Sequence, residues 1–180
     1  MLLVHGKRGY GVSHLYAELP SDRTKYGKIW VLSDSGSIEH GPFECYGKAD
    51  NQMAAAHNNA SRNPLLPYGD HPLGDYRVVM IQAHKLPVRS YGPFFILLDP
   101  ESGDARTAEI NGRTGLAIHG GDPATASLFR PTEGCLRVTN EAVTELVKHV
   151  RQHDLYTCSD MRDVPGAAIA PPPYSGPQLP

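Results

Sequence analysis

Apolar residues in this chain come in short runs, and each run is stopped by a turn. KIWVL at 28–32 meets SDSG, and PFFILL at 93–98 meets DPESG. Runs of this length, ended by Gly, Pro, Asp and Ser, suit strands and are too short for bundle helices. The 18 glycines and 16 prolines reinforce that reading, because both residues punctuate loops and break helices. Further strands are expected at 37–46 as the return of the first hairpin, at 75–83 (DYRVVMIQA) and at 116–119. The segment 50–67 reads as a long loop with one possible helical turn at Ala54–Ala56, and 109–112 reads as a turn. One helix is well signalled. Thr139 or Asn140 can cap it, Glu141 suits its positive first turn, and Val143, Leu146, Val147 and Val150 recur at helical spacing. No strand is assigned before Lys28 or after the helix.

A chain of 180 residues supports one domain. That domain is placed at 1–164, followed by a Pro-rich tail at 165–180 (GPQLP at its end) that is too poor in apolar side chains to bury much. The PPPY within the tail could dock in an aromatic groove, but a plain extended tail is the simpler reading. A net charge of −2 offers no footprint for nucleic acid. No run is long enough to span a bilayer. MLLVHGKRGYG turns polar after Val4 and does not read as a secretory signal. Oligomeric state leaves no trace in the sequence, and monomer is the default.

Chemistry concentrates in two pieces, IHGG at 118–121 and PTEGCLRV at 131–138. Three cysteines cannot all pair, so at least one is free; Cys45 and Cys158 could bridge, which would leave Cys135 as the free thiol. Cysteine catalysis needs a thiolate, a base and oxyanion donors. Arg137, two residues beyond Cys135, shares its face in an extended segment and could hold the thiolate or a substrate carboxylate. The helix start behind it would also lower the thiol pKa. Gly134 allows close backbone approach, the N–H groups near Gly134 and Cys135 could hold an oxyanion, and His119 would be the base. A buried, inert thiol and a turn histidine remain the plainer alternative.

His119-Gly120 followed by Thr132-Glu133-Gly134-Cys135-Leu136-Arg137 resembles the signature of the L,D-transpeptidase (YkuD-like) catalytic domain. His71-Pro72-Leu73-Gly74-Asp75-Tyr76-Arg77-Val78 is similar to that family's turn and strand, and residues 30–47 to its opening hairpin. The likeness covers about 28–150. It implies a mainly β, β-sandwich-like fold with one principal helix after the cysteine. It implies Cys135 as nucleophile, His119 as base and Arg137 as a supporting cation, with Gly120, Thr132, Glu133 and Gly134 around the substrate and oxyanion. The substrate would be a peptidoglycan stem peptide, cleaved after the third residue with release of D-alanine, and the thioester would pass to an amine, a D-amino acid or water. No cofactor and no metal are implied. His40, His57, His71 and His84 read as surface or loop residues, and there is no H-E-x-x-H.

Glu133 departs from the family's uncharged residue. Directed inward it would raise the thiol pKa, so it is expected to face outward or to meet a substrate amine. Leu136 and His71 are milder departures. The unread signal suggests either a cytoplasmic protein or an antibacterial effector delivered to a periplasm by a machine such as type VI secretion, with an immunity protein as a further partner. Sortases place their arginine well beyond the cysteine, and papain-like enzymes reverse the Cys–His order, so both fit less well. A binding module of the same fold without turnover is the non-enzyme alternative. The 50–67 loop and residues 91–94 are candidate lid or substrate wall.

Overall fold

The computed structural model describes residues 14–122 and 129–161, with backbone alone at 86–88. The tail expected at 165–180 lies outside the described residues. Eight strands carry the fold: β1 (His14–Leu19), β2 (Gly27–Leu32), β3 (Ile38–Tyr46), β4 (Gly74–Val88), β5 (Gly92–Pro100), β6 (Ala117–His119), β7 (Leu136–Val138) and β8 (Leu155–Asp160). They close into a barrel in the order β1-β2-β3-β7-β6-β5-β4-β8. The sandwich-like expectation is therefore corrected to a closed barrel. The reason is the pair β1 and β8, parallel from His14↔Leu155 to Leu19↔Asp160, which joins the two edges an open sheet would leave.

Inward side chains fill the barrel, with Leu15, Ile29, Val31, Tyr76, Val78, Ile96, Leu136 and Tyr156 all fully buried. An eight-stranded barrel has room for side chains and little else. Cys45 and Cys158 both belong to this core as free thiols, so the bridge considered above does not form.

Three helices are found among the described residues, and the second and third pack on barrel strands. α1 (Asn51–Ala56) starts at Asp50, whose carboxylate accepts from the Gln52 and Met53 amides. α2 (Gly103–Ile110) fills the unassigned stretch between the turns expected at 99–103 and 109–112 and takes in the start of the second. It buries only Ala105 and Ala108, too small an apolar stripe to announce a helix in sequence. α3 (Asn140–His149) is the helix foreseen after the cysteine. Thr139 caps it by accepting from the Ala142 amide at 3.0 Å, and Val143 and Leu146 pack it into the core. No helix among the described residues is long and apolar enough to cross a membrane.

Candidate active site

β6 and β7 run parallel, with Ile118 opposite Leu136 and His119 opposite Arg137. Ile118 and Leu136 point into the core and are fully buried. Side chains alternate along a strand, so His119 and Arg137 emerge on the other face, and Cys135, two residues before Arg137, joins them. All three line one cleft of about 520 Å³ outside the barrel. The register thus brings together two pieces that stand sixteen positions apart in sequence (135 − 119).

The His119 ring is buried and its Nδ1 lies 2.7 Å from the carbonyl oxygen of Gly120. A carbonyl only accepts, so Nδ1 carries the proton and Nε2 of the neutral ring keeps its lone pair. Phe95 stacks on the ring at 5.8 Å and Tyr91 meets it edge-on at 5.2 Å. Burial in this setting lowers the His119 pKa to about 4; the Gly120 contact opposes the shift and the nearby Arg137 charge adds to it. His119 is therefore an unprotonated base near neutral pH.

Gly120 is fixed by close approach. A Cβ there would lie 2.3 Å from Asn140 Oδ1, the oxygen that accepts from the Gly121 amide at 2.8 Å. Asn140, foreseen only as a possible cap, locks the turn after His119.

Cys135 is partly exposed to the cleft. Its thiol points to the Gly115 carbonyl, with S···O at 3.6 Å. Burial pushes the thiol up to about 11, against the lowering effects of an Ala117 backbone N–H, Arg113 and Arg137, while Glu133 raises it further. The resting group is a neutral thiol. The low-pKa thiolate expected from Arg137 and the helix start is corrected accordingly, because desolvation outweighs both cations.

Arg137 is buried and committed elsewhere. Its Nη1 and Nη2 donate to the carbonyls of Asp122 (3.2 Å) and Ser90 (2.9 Å). Only its buried Nε lacks a protein acceptor among the described residues. It ties the segments after β4 and β6 together through both terminal nitrogens, instead of offering a free fork to a carboxylate.

The turn before Cys135 is built by Thr132, whose hydroxyl donates to the Cys135 carbonyl (2.8 Å) and accepts from the Gly134 amide (2.9 Å). Gly134 has φ +117, and a Cβ would lie 1.9 Å from Arg113 Nη2. Its carbonyl accepts twice, from His71 Nδ1–H at 3.0 Å and from Arg113 Nη2 at 3.1 Å. The peptide is planar and trans, so this pinning turns the Cys135 N–H away from those donors. Arg113 also donates to the carbonyls of Pro64 (2.6 Å), Asp70 (2.9 Å) and Gly69 (2.8 Å). It thereby hangs the 64–70 loop over the cleft, and it was absent from the sequence reading.

Glu133 is exposed at the cleft mouth and forms no ion pair with a described residue. Both suspected wall segments reach the cleft: Asp50, Met53 and Pro67 on one side, Tyr91 and the neighbouring Phe95 on the other.

No family model matches the sequence, and no curated protein matches it. Solved structures do match the fold. A variant of the helical cell shape determining protein Pgp2 from Campylobacter jejuni superposes with a TM-score of 0.51 at 18% identity, over 87% of this chain and 49% of that one. Bd1075 of Bdellovibrio bacteriovorus gives 0.50 at 14%, over 84% and 48%. An L,D-transpeptidase from Stackebrandtia nassauensis gives 0.49 at 11%, over 90% and 60%. This chain therefore spans about half of the first two structures, and the likeness is one of fold.

Proposed function

We propose that this chain is a cysteine acyltransferase of the L,D-transpeptidase type acting on peptidoglycan stem peptides. The observation that carries the reading is the pairing across β6 and β7. A neutral thiol and a neutral imidazole with its Nε2 lone pair unused by Gly120 face one cleft from adjacent strands. The choice of substrate is supported by the resemblance of the His119 and Cys135 motifs to L,D-transpeptidases and by fold likeness to a protein named for cell shape.

In the proposed reaction Nε2 of His119 takes the Cys135 proton as sulfur attacks the carbonyl carbon of the third stem residue, whose amide to D-alanine is the bond that breaks. The oxyanion meets the Cys135 N–H, held by the pinned Gly134 peptide. His119 returns the proton to the departing amine, D-alanine leaves, and a thioester remains on Cys135. An acceptor amine or water attacks it and restores the thiol. With the thiol at about 11 and the histidine at about 4, the proton moves during attack and no ion pair exists at rest. Glu133, beside the nucleophile and without an ion pair among the described residues, is proposed to draw the acceptor amine. The place of action proposed is the periplasm or cell wall, where that substrate lies.

The test is incubation with a disaccharide tetrapeptide and mass analysis of the products. Wild type is expected to release D-alanine and Cys135→Ala to release none. Release by neither removes the enzyme reading and leaves a binding module, and equal release by both removes Cys135 as the nucleophile.

A further inference from the structure

Away from the cleft, β3 and the last turn of α3 bring together two imidazoles and a carboxylate. Glu145 and His149 are one helical turn apart on α3 and share a face. His40 comes from β3, at the register shift where β2 and β3 lose their regular pairing near Val31. Such an irregularity re-aims a side chain. His149 Nε2 lies 3.3 Å from Glu145 Oε1, and His40 Nδ1 lies 4.0 Å from the same oxygen. One ligand atom from each residue falls within 4.8 Å of the others. The two rings lie face to face, 3.8 Å between centroids. Lys148 occupies only the other carboxylate oxygen, Oε2, at 2.5 Å.

We propose that His40, Glu145 and His149 bind one divalent transition-metal cation of the zinc class. Two imidazoles and a carboxylate are the donor set such ions prefer, whereas magnesium and calcium take oxygen alone. Zinc–ligand bonds of about 2.0–2.1 Å in a tetrahedron set ligand atoms about 3.3 Å apart. The Glu145–His149 edge already has that length. An imidazole binds a metal in its ring plane, so loading the ion turns the two rings out of their present stack and shortens the 4.0 Å His40 edge, movements that partial exposure of all three groups permits. Three protein ligands leave a position for water. The ion would fasten the end of α3 to β3, whose far end, Cys45 and Tyr46, pairs with β7 behind Cys135. None of the three residues lines the cleft, so the site is independent of the proposed reaction. It also departs from the sequence expectation, which assigned His40 no metal role.

The test is calorimetric titration of the full chain with Zn²⁺, and with Mg²⁺ in a parallel arm, carried in a Cys135→Ala background so that the cleft thiol offers no rival ligand. One equivalent of Zn²⁺ is expected to bind and to raise the melting temperature. His149→Ala and His40→Gln, both at part-exposed positions, are each expected to weaken binding at least about tenfold. Affinity unchanged in both variants, or Zn²⁺ uptake by wild type that vanishes in Cys135→Ala alone, overturns the proposal. Equal affinity for Mg²⁺ overturns it as well.

Discussion

Two buried histidines, His71 and His119, follow the same local rule and end in different places. Each gives its Nδ1 proton to a backbone carbonyl, Gly134 for one and Gly120 for the other. Burial drives both pKa values down, to about 3 and about 4. The difference is the second nitrogen. His71 Nε2 lies in the core, 3.3 Å from the Tyr156 hydroxyl, which can only be its donor once Nδ1 holds the ring proton. His119 belongs to the lining of the cleft. A depressed pKa therefore does not by itself mark a catalytic base. The destination of the spare lone pair does.

The largest expected effect separates the two by rate. His119→Ala should lower turnover of the stem peptide at least about a hundredfold. It should not raise the pH midpoint of Cys135 alkylation, since His119 is not among the charges acting on that thiol. A midpoint that rises in this variant would mean a resting thiolate–imidazolium pair.

Acid is next. Both folded values lie below the ordinary 6.5, so the native state disfavours the extra proton. Stability is then whole above 6.5 and is lost as the pH falls through about 4 for His119 and about 3 for His71. Urea unfolding across that range should show a falling midpoint in wild type. Removing either histidine should flatten the fall. The rate of the folded enzyme should hold down to about pH 4, where His119 takes its proton.

His71→Ala should destabilise by about 3 kcal/mol, from the cavity, from a Tyr156 hydroxyl left without its acceptor and from the loss of one of the two donors to the Gly134 carbonyl. Its rate, compared at equal folded fraction, should fall less than that of His119→Ala. Arg113→Leu should move the thiol further above about 11, because it removes the strongest nearby cation; alkylation against pH reads this directly. Thr132→Val is the mildest, about 1 kcal/mol for the lost turn bonds, visible as a lower urea midpoint.

The site was more legible than the barrel that holds it. His119, Gly120, Gly134, Cys135 and the cap of α3 could be read because turns, caps and close approaches demand particular residue types at fixed offsets. β1 and β8 could not. HLYAEL is buried along its whole length, so no polar face alternates, and it even buries Glu18. LYTCSD is largely polar. The sandwich-like expectation came with the family resemblance, and without those two strands nothing in the sequence pointed to closure of the barrel. Arg113 stayed hidden for another reason. Its partners are backbone carbonyls of a distant loop, which impose no residue type, and its own surroundings read as an ordinary turn. The His40, Glu145 and His149 cluster likewise has no spacing signature, since β3 and α3 meet only in the folded chain.

The central claim is that Cys135 is the nucleophile and His119 its base. Rapid quenching of a stem-tetrapeptide reaction, followed by intact-mass and peptide analysis, reads both at once. Wild type should show an adduct on Cys135 equal to the substrate less D-alanine. His119→Ala should form it far more slowly, and His71→Ala, compared at equal folded fraction, nearly as fast as wild type. No adduct on Cys135 while D-alanine is released, or an adduct that forms equally fast without His119, would contradict the assignment.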